Sequence, residues 1–252
     1  MKKARLGKHT VEFYDSIDEM PIVRYYKYQK YLLVDSGVGS DLSDFDTHIE
    51  KVMRYATSKD IDSTIKEMNN MRQNVYMIQQ ELSPKYLAFS SLVARLDGKT
   101  IGDTDEDIKA VYDALKSVLK KDVDKEADEV KKKVDSEMRL YFPQLFESAK
   151  EKEYYDILKR LAQARINTVT GKKGEDVEEL TTKLMTYSKP QIFSGTDSVE
   201  LRYEKEFERL CLLISGELNV QPKQMNVKEF YTAYEIMKER SDEHKKMNKN
   251  GR

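Results

Sequence analysis

Apolar residues recur every three or four positions along most of this chain, the period of a helix with one buried face. At residues 21–35 the stripe widens. Ile22, Tyr25, Tyr26, Leu32 and Leu33 cover most of a helical circumference there, leaving Arg24, Lys27 and Lys30 as a narrow basic strip toward solvent. A helix that is apolar nearly all round is buried on several sides, so this stretch is the expected hub of the fold. Pro21 suits a first helical turn because its φ is pre-set and its missing N–H is not needed there. Gly37 and Gly39 close the stretch in a turn.

Before the hub, Arg5-Leu6 and Val11 to Tyr14 flank Gly7-Lys8, which predicts a small hairpin that must lean on helices. Ser16 or Asp18 is the expected cap of the hub helix. After it, helix-start residues at 41–46 precede Ile49, Val52, Met53 and Ala56, a short second helix. Asp60 opens a third, with Ile61, Ile65, Met68, Val75, Ile78 and Leu82 on one face. Ser83-Pro84 ends it and begins a fourth apolar helix expected over 84–96. Residues 1–97 thus read as one packing unit.

Past the Asp97-Gly98 turn, residues 108–141 predict a long exposed helix or helix pair. Val111, Tyr112, Leu115, Val118 and Leu119 continue into Val123, Ala127, Val130, Val134, Met138 and Tyr141; this second run is a seam too thin for an isolated coiled coil, so it calls for another helix of this chain or of a neighbour. Phe142-Pro143 breaks it, and an amphipathic helix over 145–170 and a short one around Val177 to Leu184 complete a middle region, 98–189. The third segment, 190–252, starts with a linker in which Ile192 and Phe193 are free to dock. Asp197 with Glu200 predicts a capping box for a helix burying Leu201, Phe207, Leu210, Cys211 and Ile214; a last helix spans 227–237 before a charged tail. The expected fold is mainly α, a multi-helix bundle with long exposed helices and a small N-terminal β-hairpin.

Composition agrees and narrows the function. Among 252 residues, 35% are charged and only 10 are glycine and 5 proline, which favours long wet helices over a compact α/β core. With 44 basic against 45 acidic side chains, the chain lacks the positive charge of a general nucleic-acid binder. One cysteine excludes an intramolecular disulfide and a cysteine-based zinc site. The N-terminus has no apolar run of a signal peptide and no window approaches a membrane span, so synthesis in the cytoplasm is expected.

Candidate chemistry is sparse. His9, His48 and His244 are scattered and read as surface residues. Asp41, Asp44 and Asp46 with His48 have the residue types of a metal site, but helix capping explains the same aspartates. The 97–107 stretch lacks EF-hand register, and the turns at Gly37 to Ser40 and Gly171 to Gly174 lack phosphate-loop spacing. Cys211 falls on an apolar helix face, as a structural thiol does. No nucleophile elbow or kinase signature occurs. The expectation is a non-enzymatic protein with no cofactor and no metal.

The 16 tyrosines carry more information. They cluster at Tyr25, Tyr26, Tyr28 and Tyr31 and again at Tyr231 and Tyr234. Such rings suit half-wet contact surfaces or fill the chain's own helix seams; stacking on single-stranded nucleic acid is a third use. Arg24, Tyr25, Lys27, Tyr28, Tyr31, Phe230, Tyr231 and Tyr234 are therefore the expected interface residues.

Two stretches, Phe13 to Asp41 (reading FYDSIDEMPIVRYYKYQKYLLVDSGVGSD) and Val220 to Met237 (VQPKQMNVKEFYTAYEIM), resemble proteins of crAss-like tailed bacteriophages that infect Bacteroidetes. The resemblance implies a virion structural protein, such as a head–tail connector, neck, portal-adaptor or tail-ring subunit. It implies an oligomer touching portal, ring or tail subunits, with nucleic acid present only as DNA passing through a ring. An assembly chaperone that leaves the particle, or a nucleic-acid-associated helical protein, is the alternative.

Overall fold

The computed structural model describes residues 1–118, 120–146, 149–187 and 189–250; side chains are described outside 149–151 and 244–250. Among these residues are four strands and ten α-helices. The hairpin forms as expected: β1 (Lys2–Leu6) pairs antiparallel with β2 (His9–Phe13), with Gly7 at φ +58° in the turn. It does not stand alone. β3 (Val93–Leu96) and the two-residue β4 (Lys99–Thr100) extend it to a four-stranded antiparallel sheet in the order β1-β2-β3-β4.

This corrects the helix expected over 84–96. Helix α4 (Pro84–Ser91) opens on Ser83 with Pro84 in its first turn, then stops; Leu92 is its C-cap and Val93 pairs with Phe13. The run from Tyr86 to Leu96 is apolar enough to serve either period. The free edge of β2 decides, because it offers Val93–Leu96 a hydrogen-bonded partner.

The hub is α1 (Ile22–Gly37). The expected cap by Ser16 or Asp18 does not form; Pro21 is the N-cap and Ile22 N–H donates to the Met225 carbonyl at 2.9 Å. Ser16 instead donates its hydroxyl to Glu137. α1 lies against α4, α9 (Val199–Leu218) and α10 (Val227–Asn250). α10 continues beyond residue 237 into the stretch expected to be a frayed helix or a disordered tail.

The helices α5 (Asp105–Leu115) and α6 (Lys120–Tyr141) are the expected pair, and the thin seam finds its neighbour within the chain. Val123, Val130, Val134 and Met138 are buried in the same cluster as Phe13, Tyr25, Phe89, Cys211 and Phe230. Leu119 lies outside the described residues. One core therefore runs through all three expected segments, 1–97, 98–189 and 190–252, and their boundaries do not divide it.

Two smaller clusters sit outside this core. Phe193 docks on Val34, Val38 and Val199, where it passes so close to Gly37 that a Cβ there would meet its ring at 2.2 Å. Helices α7 (Ala149–Val169) and α8 (Val177–Tyr187) bury Ile157, Leu161, Ala164 and Leu180 between themselves. The cap of α9 is Ser198, whose hydroxyl accepts from Leu201 N–H, in place of the Asp197–Glu200 box.

The hairpin α2 (Leu42–Thr57) and α3 (Ile61–Gln79) runs out from the end of α1. Asp41 and Asp44 form a capping box on α2, and Asp60 caps α3 through Ser63 N–H. Capping accounts for Asp41 and Asp44, two of the three aspartates weighed as a metal site.

Candidate functional site: the hub helix and its surroundings

The basic strip of α1 turns inward. Arg24 is 5% exposed, and its guanidinium donates to four carbonyls: Ser91 (3.0 Å) and Val93 (2.8 Å) from Nη1, Ile101 (2.6 Å) and Gly102 (2.7 Å) from Nη2. The abrupt end of α4 explains the need, since terminal helix carbonyls have no partner within the helix. Desolvation by burial lowers the Arg24 pKa, against the opposing pull of Tyr14, Asp103 and Asp107. Lys27 donates to the Asp103 carbonyl at 2.6 Å and to Asp105 at 2.7 Å. Buried Lys30 reaches Glu204 at 2.8 Å; desolvation alone would lower its pKa, but the Glu204 carboxylate wins and raises it. These three cations fasten the hub to the sheet, to α5 and to α9.

The tyrosines follow the same course. Tyr26 is stacked between Phe207 and Tyr203, with ring centroids 4.2 and 4.7 Å away. Tyr25 meets Tyr231 edge-on at 6.2 Å, and Tyr231 meets Phe230 and Phe142. Tyr25, Tyr28 and Phe230 are buried, Tyr31, Tyr231 and Tyr234 are half-buried against the main core, and Lys27 is half-buried. Desolvation raises the phenol pKa of Tyr25, Tyr26 and Tyr28, and brings Tyr231 to about 12. Of the expected interface residues, Arg24, Tyr25, Tyr28 and Phe230 are thus enclosed by the chain itself. For these four the side chain serves an internal seam: Arg24 is bound by the carbonyls of Ser91, Val93, Ile101 and Gly102, Tyr25 and Phe230 pack on Tyr231, and Tyr28 lies in the main core.

Two histidines are placed. His9 is bound to Asp97 at 2.7 Å near the sheet. His48, expected at the surface, is buried: one ring nitrogen lies 2.7 Å from Glu67 and the other 2.9 Å from the Val38 carbonyl. His244 falls outside the described side chains. Cys211 is buried and desolvation raises its pKa, as a structural thiol requires. Among the described residues, no group of three or more His, Cys, Asp or Glu is arranged to hold a metal ion, and no helix is long and apolar enough to cross a membrane. An open cleft of about 680 Å³ lies between α2 and α8, lined by Met53, Arg54, Tyr55, Asp60, Glu178 and Met185.

The large apolar residues left exposed lie elsewhere. Leu42, Met53, Ile61 and Ile65 on the α2–α3 hairpin, Val169 on α7 and Leu212 on α9 all face solvent. Sequence reasoning assigned Met53, Ile61 and Ile65 to helix faces of the kind that pack inward. The signal against it was a second stripe on α3, Ser63, Glu67, Asn70 and Asn74, with 4-3-4 spacing of its own. No protein-family model, curated protein or solved structure matches the chain.

Proposed function

We propose that this chain is a non-enzymatic structural subunit of a tailed-bacteriophage virion, at the head–tail junction, working through helix-mediated contacts with its own copies and with portal, ring or tail subunits. The observation that carries the reading is the placement of its large exposed hydrophobics. Leu42, Met53, Ile61 and Ile65 lie on the α2–α3 hairpin, which runs out from the core, and apolar surface there serves contact between molecules. The three cations of the hub, Arg24, Lys27 and Lys30, are meanwhile committed to internal bonds. The resemblance of 13–41 and 220–237 to crAss-like phage proteins supplies the particle.

Mass spectrometry of purified virions, with a light-scattering mass for the isolated protein, tests this. The protein is expected in the particle at a fixed copy number and as an oligomer in solution. A chain that stays monomeric at high concentration and is absent from virions ends the reading. Presence in infected cells but not in particles supports the assembly-chaperone alternative.

A further inference from the structure

Six aromatic rings wall one cavity of about 170 Å³ where α1, α9 and α10 meet. They follow one another in contact: by ring centroids, Tyr203 lies 4.7 Å from Tyr26, Tyr26 4.2 Å from Phe207, Phe207 5.9 Å from Phe230, Phe230 5.6 Å from Tyr231, and Tyr231 6.2 Å from Tyr25. Each helix contributes two rings. Tyr25 and Tyr26 are adjacent on α1, Tyr203 and Phe207 are one helical turn apart on α9, and Phe230 and Tyr231 lie near the start of α10. An apolar cavity of about 150 Å³ holds one benzene, so this space takes a guest of about that size.

Glu206 is the one charged residue of this lining. It is exposed, and among the described residues no cation pairs with it. Glu204 and Glu208, on the same helix, are by contrast bound to Lys30 and Lys223. A more open groove of about 400 Å³ shares Glu206, Leu210 and Tyr231 with the cavity and adds Leu145, Leu213 and Tyr234. Arg209 lines that groove and not the cavity. The cavity thus has aromatic walls, a carboxylate without a partner at its rim, and an apolar groove beside it.

We propose that this aromatic cavity binds a small quaternary ammonium compound, its methylated nitrogen among the rings beside Glu206 and its substituent along the groove. Three features select that class. Aromatic faces carry negative charge density and attract a cation; Tyr203 and Phe207 each turn only one face to Tyr26. A methylated ammonium has no N–H to satisfy, whereas a primary ammonium brings three donors into a place of few acceptors. Glu206 supplies the counter-charge, and its field reaches the Tyr203 phenol, whose pKa is raised by desolvation first and by Tyr231 and Glu206 after it. A neutral guest of the same size would gain nothing from Glu206. The site stands apart from the virion reading, and either can fail alone.

Isothermal titration calorimetry of the full chain tests it with choline and with the neutral alcohol that carries tert-butyl in place of trimethylammonium. Choline is expected to bind one-to-one with a dissociation constant below about 1 mM. The neutral alcohol is expected to bind about tenfold more weakly. Glu206→Gln, at an exposed site, is expected to weaken choline about threefold to fivefold and to leave the neutral alcohol unaffected. Glu208→Gln, whose carboxylate faces Lys223, leaves the affinity for choline as it is. Tyr203→Leu removes one wall and weakens choline about tenfold; should it fail to fold, Glu206→Gln and the pair of ligands decide the matter. No heat of binding up to about 10 mM choline, equal affinity for the two alcohols, or choline binding indifferent to Glu206→Gln overturns the proposal. Binding to phosphatidylcholine vesicles without binding to free choline would assign the contact to a membrane surface and also overturns it.

Discussion

Arg24 ties together the end of α4, the start of β3 and the exit from β4 through four carbonyls. Removing it leaves up to four carbonyls with less than their complement of donors in a place water reaches poorly. Arg24→Met should therefore cost about 2–4 kcal/mol of stability. Arg24→Lys should recover only part of that, because one ammonium cannot span two loops. Urea denaturation of the two variants measures both; a loss under about 1 kcal/mol for Arg24→Met would mean the carbonyls rehydrate freely. The buried tyrosines set the alkaline limit. Their folded pKa values lie above the ordinary ~10, chiefly through desolvation, with Tyr231 at about 12. Below pH ~10 both states keep the phenolic protons and stability is unaffected. Above it the unfolded chain sheds protons that the native state retains, so each such tyrosine removes up to about 1.4 kcal/mol per pH unit until its folded pKa is reached. A spectrophotometric titration should show fewer of the 16 tyrosines ionising at pH 11 in native protein than in denaturant. Equal titration in both would refute the linkage.

Gly37 shows how an element's end can depend on a distant ring. Phe193, 156 positions later in the chain numbering (193 − 37), lies where a Cβ at Gly37 would sit, and the ring is held by Val34, Val38 and Val199. Gly37→Ala should cost about 1–3 kcal/mol by overpacking. Combined with Phe193→Ala the two losses should fall short of additive, since the second variant removes the obstacle the first one meets. Full additivity in a double-mutant cycle would show that the clash is relieved elsewhere. The sequence reading found Gly37 as a turn and Phe193 as able to dock, without a means of pairing them. That limit recurs. The caps at Asp41, Asp60 and Ser83-Pro84 were legible because the side chain and the N–H it serves, or the proline and the turn it enters, lie within a few residues. β3 was not, because its choice of strand over helix depends on β2, some eighty positions earlier. On α3 both stripes were visible, yet period alone does not say which faces inward. His48 and Glu67, on different helices, decide for the polar one. The candidate site fared likewise: the tyrosine clusters of α1 and α10 were read as prominent, but their use of α9 as a cover appears only in three dimensions.

At the scale of the whole molecule, the distribution of buried apolar residues predicts uneven stability. The main core links β1 to β3, α1, α4, α5, α6, α9 and α10, so loss of any of these exposes side chains of the others. α7 and α8 share only Ile157, Leu161, Ala164 and Leu180, with a few partly buried neighbours. Their described ties to the rest include surface ion pairs such as Arg54–Glu178, and exposed pairs of that kind contribute little. A unit with its own small core and weak external ties opens separately from the global transition. Hydrogen exchange across 157–184 should accordingly proceed through openings of lower free energy than in α1 and α4. Leu180→Ala should accelerate exchange there while leaving the main denaturation midpoint, followed by a probe in the hub, nearly unchanged. If Leu180→Ala instead lowers the global midpoint by the ~2–5 kcal/mol of a main-core truncation, α7–α8 and the main core unfold as one cooperative unit.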